Sequence, residues 1–587
     1  MIVCLLVAAR RWRLALAAGL GATLAAPASA DVVALASAQG TTLMMSLEGA
    51  APAPQLPPDA RTPPQDAGAG SIPDDATLEA NGAVFGEVIV HAGDIFDPEA
   101  PGESNVVFRI ANKIHVNTRE GTIRHQLPFR PGDRYSRSAL EEAGRILRAN
   151  GYLYDATIRP VRYDGERVDV EVKTRDVWTL GFGLGVGRAG GANSTRFGVD
   201  DQNFFGTGKD VAIRYSSDVD RTETLYRYRD PNLFGTKGRM QISYSDLSDG
   251  KSSFYSLDRP FYSLSTRWAL GAASSSDARI DPLYSRGVVT GQFRHESTGV
   301  EVYGGRSRGL VAGRARRLTF GFSHHEDRFS VPDGLATPVA AAPPDRLLSF
   351  PWIGFEVIED GYFTVQDMDQ IQRTEDHNLG RETRGRLGFS SPATGGDRNR
   401  LVYDVSFSQG VNPGNAQMLF VTGRLSGRWG GDGAENLLLS GGARYFMRDM
   451  GEHMFYVSLE GSMADNLDPE NQLLLGGDNG IRGYPLRWVD GDRRVILTVE
   501  QRFYMPWHVM KLVHLGAAVF YDAGSAWWSG DTAAVQQPFL QDVGVGLRLS
   551  SSRSSKGGMM HIDLAFPINP PDGIPRYQLY VKAGERF

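Results

Sequence analysis

The chain has 587 residues, 62 of them basic and 68 acidic, for a net charge of −6, and it holds one cysteine, Cys4. The acidic balance argues against a nucleic-acid binder, which would carry a basic patch or stripe. A lone cysteine at position 4 leaves no disulfide framework, cysteine zinc site or thiol nucleophile for the rest of the chain.

Met1 to Ala30 reads as a secretory signal: Arg10, Arg11 and Arg13 form a positive start, Leu14 to Ala26 an apolar run, and Ala28-Ser29-Ala30 a small-residue cleavage site. Cys4 is misplaced for a lipobox. Removing the three arginines from 62 basic residues leaves 59 against 68 acidic, a mature charge of −9. No later stretch offers about 18 consecutive apolar residues, so a mature chain that crosses a membrane must do so as a barrel. Residues 31–80 are rich in Ala, Pro and Asp and read as a disordered tether, with Thr41–Leu47 as a possible short helix entering the barrel.

Residues 83–175 read as one small α+β domain. Val84–His91 is a strand candidate, Asn105–Ile114 and Thr118–Leu127 carry helical spacing, and Ser136–Asn150 places Leu140, Ala143, Ile146 and Leu147 on one helical face. The strands Asp155–Tyr163 and Arg167–Lys173 are joined at Asp164-Gly165, a hairpin signal.

From residue 178 to 587 the period is two. Leu180, Phe182, Leu184 and Val186 alternate with glycines, and Val543, Val545, Leu547 and Leu549 alternate with Gly544, Gly546, Arg548 and Ser550. Apolar side chains toward lipid and small or polar ones toward a lumen give this pattern, and at about 25 residues per strand and connection it predicts an all-β transmembrane barrel of about 16 antiparallel strands. Val331–Arg346 and Thr394–Arg400 read as extracellular loops. Asn203-Phe204-Phe205-Gly206-Thr207 returns as Asn232-Leu233-Phe234-Gly235-Thr236, which predicts two turns on one rim.

No catalytic or metal-binding set stands out, and no cofactor is expected. Gly183-x-Gly185-x-Gly187 lies inside an alternating strand and opens no helix, so it is barrel wall rather than a nucleotide loop. His324-His325-Glu326-Asp327 follows a strand and reads as a solvated rim. The glycine-rich stretch Gly476–Tyr484 is different. Its glycines permit close approach, so it reads as a loop folded into the lumen with Arg482 at its tip. A buried arginine needs an acidic partner, and two wall positions qualify: Glu500, between Thr498 and Arg502 on one polar face, and Asp522, which shares a face with Phe520 and Gly524.

Several of these segments resemble one family. Pro128–Asp133, Arg148–Tyr152 and Val168–Val172 resemble a POTRA domain. Gly477 and Ile481-Arg482-Gly483-Tyr484 resemble the lumen-loop motif of the BamA/TamA/FhaC superfamily of POTRA-plus-barrel outer-membrane proteins, and Phe520-Tyr521-Asp522-Ala523-Gly524 resembles its paired wall motif. The closing stretch, with Tyr577, Leu579, Val581, Gly584 and terminal Phe587, is similar to an outer-membrane targeting strand. The resemblance implies a barrel in the bacterial outer membrane with one periplasmic POTRA domain. The implied partners are outer-membrane lipid, unfolded client proteins received by the POTRA, and periplasmic chaperone or assembly factors. It implies assembly of outer-membrane proteins through a laterally opening barrel, with two-partner secretion as the alternative. A passive pore is a further reading, and no enzymatic activity is expected.

Overall fold

The computed structural model describes residues 72–414, 416–448, 453–530, 539–555 and 558–582. The signal, Thr41–Leu47, Gly584 and Phe587 lie outside the described residues.

The N-terminal domain is built on a three-stranded sheet. Arg167–Asp176 is the central strand, parallel to Val84–Gly93 on one side and antiparallel to Leu153–Tyr163 on the other. Val168, Val170 and Val172 lie on this central strand and are fully buried. The helices Glu120–Gln126 and Arg137–Arg148 cover the sheet, contributing Ile123, Ala143 and Leu147 to one core. The end of the expected tether is corrected: residues 75–80 form a helix, Asp75–Ala80, capped by Asp74, whose Oδ1 accepts the Thr77 N–H at 2.9 Å. Its Leu78 is buried in the same core. One cap and one leucine suffice to dock a short turn, and an average over a Pro-rich stretch hides both.

Among the described residues the second unit is a closed antiparallel barrel of 20 strands, running from Leu180–Ala189 to Gln578–Lys582. This corrects the expected count of about 16. The cause lies in the connections. Gly190-Gly191, Arg286-Gly287 and Ala312-Gly313 each join two strands with both residues at positive φ, the two-residue turn that matches strand twist. Such turns need far fewer residues than the allowance of about 25 per strand and connection.

Wall height varies around the barrel. The six strands between Leu180 and Arg259 have 8 to 10 residues, whereas Val288–Val311 has 24. The first and last strands close the wall, and among the described residues they pair at one position, Val581 with Arg188. The first two strands pair at ten positions, from Leu180 with Asp201 to Ala189 with Ala192.

The N-terminal domain sits on one rim. Both repeat turns lie there, with Phe205 and Phe234 in the same left-handed conformation, φ 51° and 52°. Arg119 N–H donates to Gly206 O at 2.9 Å, and Lys237 Nζ donates to His125 O and Leu127 O at 2.6 and 2.8 Å. Strand alternation puts residues 331–345, 391–399 and 466–492 on the far rim.

The His324–Asp327 stretch is also corrected. It lies within the strand Arg314–Ser330, with His325 and Asp327 buried on the inner face. Asp327 accepts hydrogen bonds from Arg346 Nε and Nη2 at 3.0 and 2.6 Å. A run of four polar residues suggests solvent, but in a barrel the alternate ones point into the lumen.

Candidate functional site

The segment between strands His453–Asp465 and Arg493–Val509 folds inward from the far rim. Two short strands, Leu473–Leu475 and Val489–Gly491, pair at its base. Ile481 and Tyr484 pack with Leu475, Val489, Ile496 and Leu540, so the loop carries its own apolar footing on the wall. Two glycines allow the close approach. A Cβ on Gly477 would lie 2.3 Å from Tyr484 O, and one on Gly483 would lie 2.7 Å from the Asp542 Cβ.

Arg482 is buried at the tip. Its Nε and Nη2 grip the two Asp522 oxygens at 2.7 and 3.0 Å, a bidentate pair that fixes the plane of the guanidinium. Nη1 donates to Glu500 Oε1 at 2.9 Å and Asp563 Oδ2 at 2.7 Å. The Phe520 ring centroid lies 3.4 Å from Cζ, so an aromatic face closes one side. The neighbouring Gly483 N–H donates to Asp542 Oδ2 at 2.7 Å. Gly524 leaves room on the wall, since a Cβ there would lie 3.2 Å from Ile481 Cδ1.

Two further arginines complete the network. Arg502 Nε donates to Glu500 Oε2 at 2.8 Å, Arg548 Nη2 donates to Glu500 Oε1 at 3.0 Å, and Arg548 also bonds Asp563. Three guanidiniums thus stand among four carboxylates in a region closed to solvent, where an unpaired charge is costly. Asp542, Arg548 and Asp563 were not among the sequence candidates for this cluster. Alternation offered the signal: Asp563 lies between Ile562 and Leu564, so when those face lipid it faces inward.

A second element enters from the opposite rim, and nothing in the sequence singled it out. Tyr362–Val365 pairs with Glu375–Asn378 to form a hairpin. Its Met368 and Ile371 are buried against Phe446, Met454, Tyr456, Tyr504 and Met559 of the wall. Arg502 Nη1 donates to Met368 O at 3.0 Å, so one arginine holds both the hairpin tip and Glu500. The hairpin is also tied to the N-terminal domain. Arg148 bonds Asp376, Arg373 Nη2 donates to Leu153 O at 2.8 Å, and Tyr154 Oη donates to Gln372 O at 2.9 Å. Asp369, Glu375 and His377 bring ligand-type atoms within 4.8 Å of one another, but Glu375 is engaged in shaping the tip, accepting N–H groups of Met368, Asp369 and Gln370.

At the closing strand, Leu579 is exposed on the outer face and Val581 is half-buried, while Tyr577, also exposed, precedes the strand.

A closed barrel with an arginine-tipped loop in its lumen and a small α+β domain on one rim defines an outer-membrane barrel protein with an appended domain. Residues 411–587 match the Omp85 superfamily domain, and residues 109–175 match the POTRA described as a surface antigen variable number repeat. The C-terminal part of the barrel thus matches the Omp85 superfamily and the rim domain matches a POTRA, the two parts of POTRA-plus-barrel proteins, and a closed barrel of this kind implies the outer membrane.

The heme/hemopexin transporter protein HuxB of Haemophilus influenzae strain 86-028NP is 26% identical over 140 residues, 23% of this chain and 24% of the relative. The match therefore spans about a quarter of that relative's length. BamA from Haemophilus ducreyi lacking POTRA domains 1–3 is 13% identical, with 85% of this chain and 84% of that chain covered at a TM-score of 0.37. CdiB from Acinetobacter baumannii is 14% identical, with 85% and 74% covered at a TM-score of 0.41.

Proposed function

We propose that this protein assembles other barrel proteins into the outer membrane, with its POTRA domain in the periplasm. The observation that carries this reading is the lumen. It is occupied from both rims, by the Arg482 loop and by the 360–380 hairpin, and Arg502 ties the two together. A client passing through the lumen must expel both elements. A client added at the seam between the first and last strands displaces neither. The low wall beside that seam supports the same reading, because short strands perturb the bilayer where a new strand would enter. The POTRA sheet would receive an extended client by adding it as an edge strand.

The test is depletion followed by outer-membrane proteomics. Loss of a set of barrel proteins supports assembly. Loss of one secreted protein with barrels intact replaces it with two-partner secretion, the second reading, favoured by the short match to a transporter protein. Open-channel conductance of the purified protein without any biogenesis defect replaces it with a passive pore.

A further inference from the structure

Resting on the outer-membrane placement of the barrel, we propose that the POTRA helix Val106–Ile114 lies in the bilayer surface and binds phospholipid on the POTRA side of the membrane. The helix turns two opposite faces to two environments. Phe108 faces the protein, where its ring stacks on Phe96 at 4.0 Å between centroids. Asn112 is on the same side, its amide exchanging hydrogen bonds with Phe96 N–H and O at 3.1 and 2.7 Å. Val106, Val107, Ile110 and Ile114 share the other side of the cylinder, and they are 52 to 70% exposed. Four bulky apolar side chains in one stripe are not the scattered surface hydrophobics of an ordinary soluble domain.

The position of the helix names the occupant. Phe108, Ile95 and Phe96 form a cluster against which Leu512 packs, and Leu512 belongs to the turn between the barrel strands Arg493–Val509 and Val513–Trp527. Arg553, which follows the strand Leu540–Ser551 on the same rim, donates to Ile95 O at 3.0 Å and bonds Glu103. The helix is thus fastened to the rim itself. Beside that turn, Trp507, Val509 and Met510 are exposed, and they continue the apolar outer face of the barrel. Phe205 and Phe234 are exposed on the same rim, as aromatics are at a membrane–water boundary. The apolar stripe therefore continues a surface already committed to lipid.

Charge agrees. The helix carries Arg109 and Lys113 and no acidic residue. Both are exposed, and at 100° per residue both fall on one flank of the apolar stripe. Long basic side chains beside an apolar face reach lipid phosphates while the apolar residues enter the acyl boundary. The rim attachments hold the stripe at a fixed height, so the domain has one orientation over the bilayer.

The test uses the full-length protein in proteoliposomes of phosphatidylethanolamine and phosphatidylglycerol, with no client added. Cys4 is replaced by Ser, and a fluorophore is attached at Ile110→Cys or, as control, at Glu166→Cys in the exposed turn of the POTRA hairpin. The expected result is quenching by nitroxide-labelled phospholipid at Ile110 about threefold above the control, with iodide access reduced by a similar factor. Val107→Cys is the second probe should Ile110→Cys fail to assemble. Two results overturn the proposal. In one, the helix label stays as open to iodide as the control. In the other, it becomes shielded only when an unfolded barrel-strand peptide is added, which makes the stripe a peptide site.

Discussion

Arg148 on the POTRA helix and Asp376 on the lumen hairpin, 228 residues apart, form a bidentate pair, with Nε to Oδ2 at 2.7 Å and Nη2 to Oδ1 at 2.5 Å. The pair is largely buried, and it joins the domain that would meet a client to the element that fills the near end of the barrel. Arg148→Ala should cost the docked hairpin about 2 kcal/mol, which raises the population of its withdrawn state roughly 30-fold. Planar-bilayer recordings check this. In an Arg482→Ala background, which frees the far-rim loop, the variant should open more often than its parent, and one that also lacks residues 367–373 should conduct continuously. A closed baseline in both would remove the hairpin as the near-end plug.

Arg482 and Asp522 should be energetically coupled. Breaking a buried pair from one side costs about 3–5 kcal/mol. A double-mutant cycle with Arg482→Ala and Asp522→Ala, read as heat resistance of the folded barrel in detergent, should give a strong interaction term. Arg482 also reaches Glu500 and Asp563, so cycles with those partners should show coupling as well. Arg482→Lys should restore little, because lysine lacks the planar fork. Simple additivity in all three cycles would remove the loop's anchor.

Gly483→Ala should loosen the loop although the change is one methyl group. The added Cβ would stand 2.7 Å from the Asp542 Cβ and 3.1 Å from its Oδ2, which accepts the Gly483 N–H. Overpacking of this kind costs about 1–3 kcal/mol. Limited proteolysis within 476–487 should speed up in the variant, while cleavage in the POTRA domain should not change.

Docking of the POTRA domain on the rim should strengthen in mild acid. Burial raises the carboxyls of Glu142, Asp155 and Asp360 above their ordinary values of 4.5, 3.8 and 3.8. A group raised in the docked state binds its proton more tightly there. The resulting stabilisation is complete below the ordinary value and is lost as pH rises through the raised one. Glu142 accepts the Leu264 N–H at 2.7 Å, so it sits on the joint itself. Hydrogen exchange at Leu264, corrected for chemical exchange rate, should be slower at about pH 5 than at about pH 8. Glu142→Gln should flatten that difference.

The parts of this molecule that follow local rules were open to reading. Alternation at Val543–Leu549 gave wall strands, and the helix with Leu140, Ala143 and Leu147 on one face is present as Arg137–Arg148. A glycine-flanked arginine with Glu500 and Asp522 downstream was visible because a buried charge restricts its own surroundings. The strand number was not open in the same way. It depends on turn length, and Arg286-Gly287 and Ala312-Gly313 lack the Asn-Gly or Asp-Gly signature of a tight hairpin. The 360–380 hairpin was hidden for another reason. Met368 and Ile371 are two apolar residues in a polar connection, without a period, and what buries them is a wall assembled from distant strands.

The two Phe-Gly-Thr turns have a consequence for how the domain is set on the barrel. They follow the second and fourth strands, so two inter-strand spacings, about 9.6 Å, separate them along the hydrogen-bonding direction. The helix Glu120–Gln126 is seven residues long, a rise of about 10.5 Å. One turn accepts the Arg119 N–H at the start of that helix, and Lys237, just past the other turn, donates to His125 O and Leu127 O at its end. The helix therefore works as a gauge block laid across two teeth of the barrel. Lengthening it by one residue would swing its far end about 100° around the axis and leave Lys237 without its carbonyls. The angle at which this domain sits on the barrel depends in part on the near-equality of that helix's length and two strand spacings.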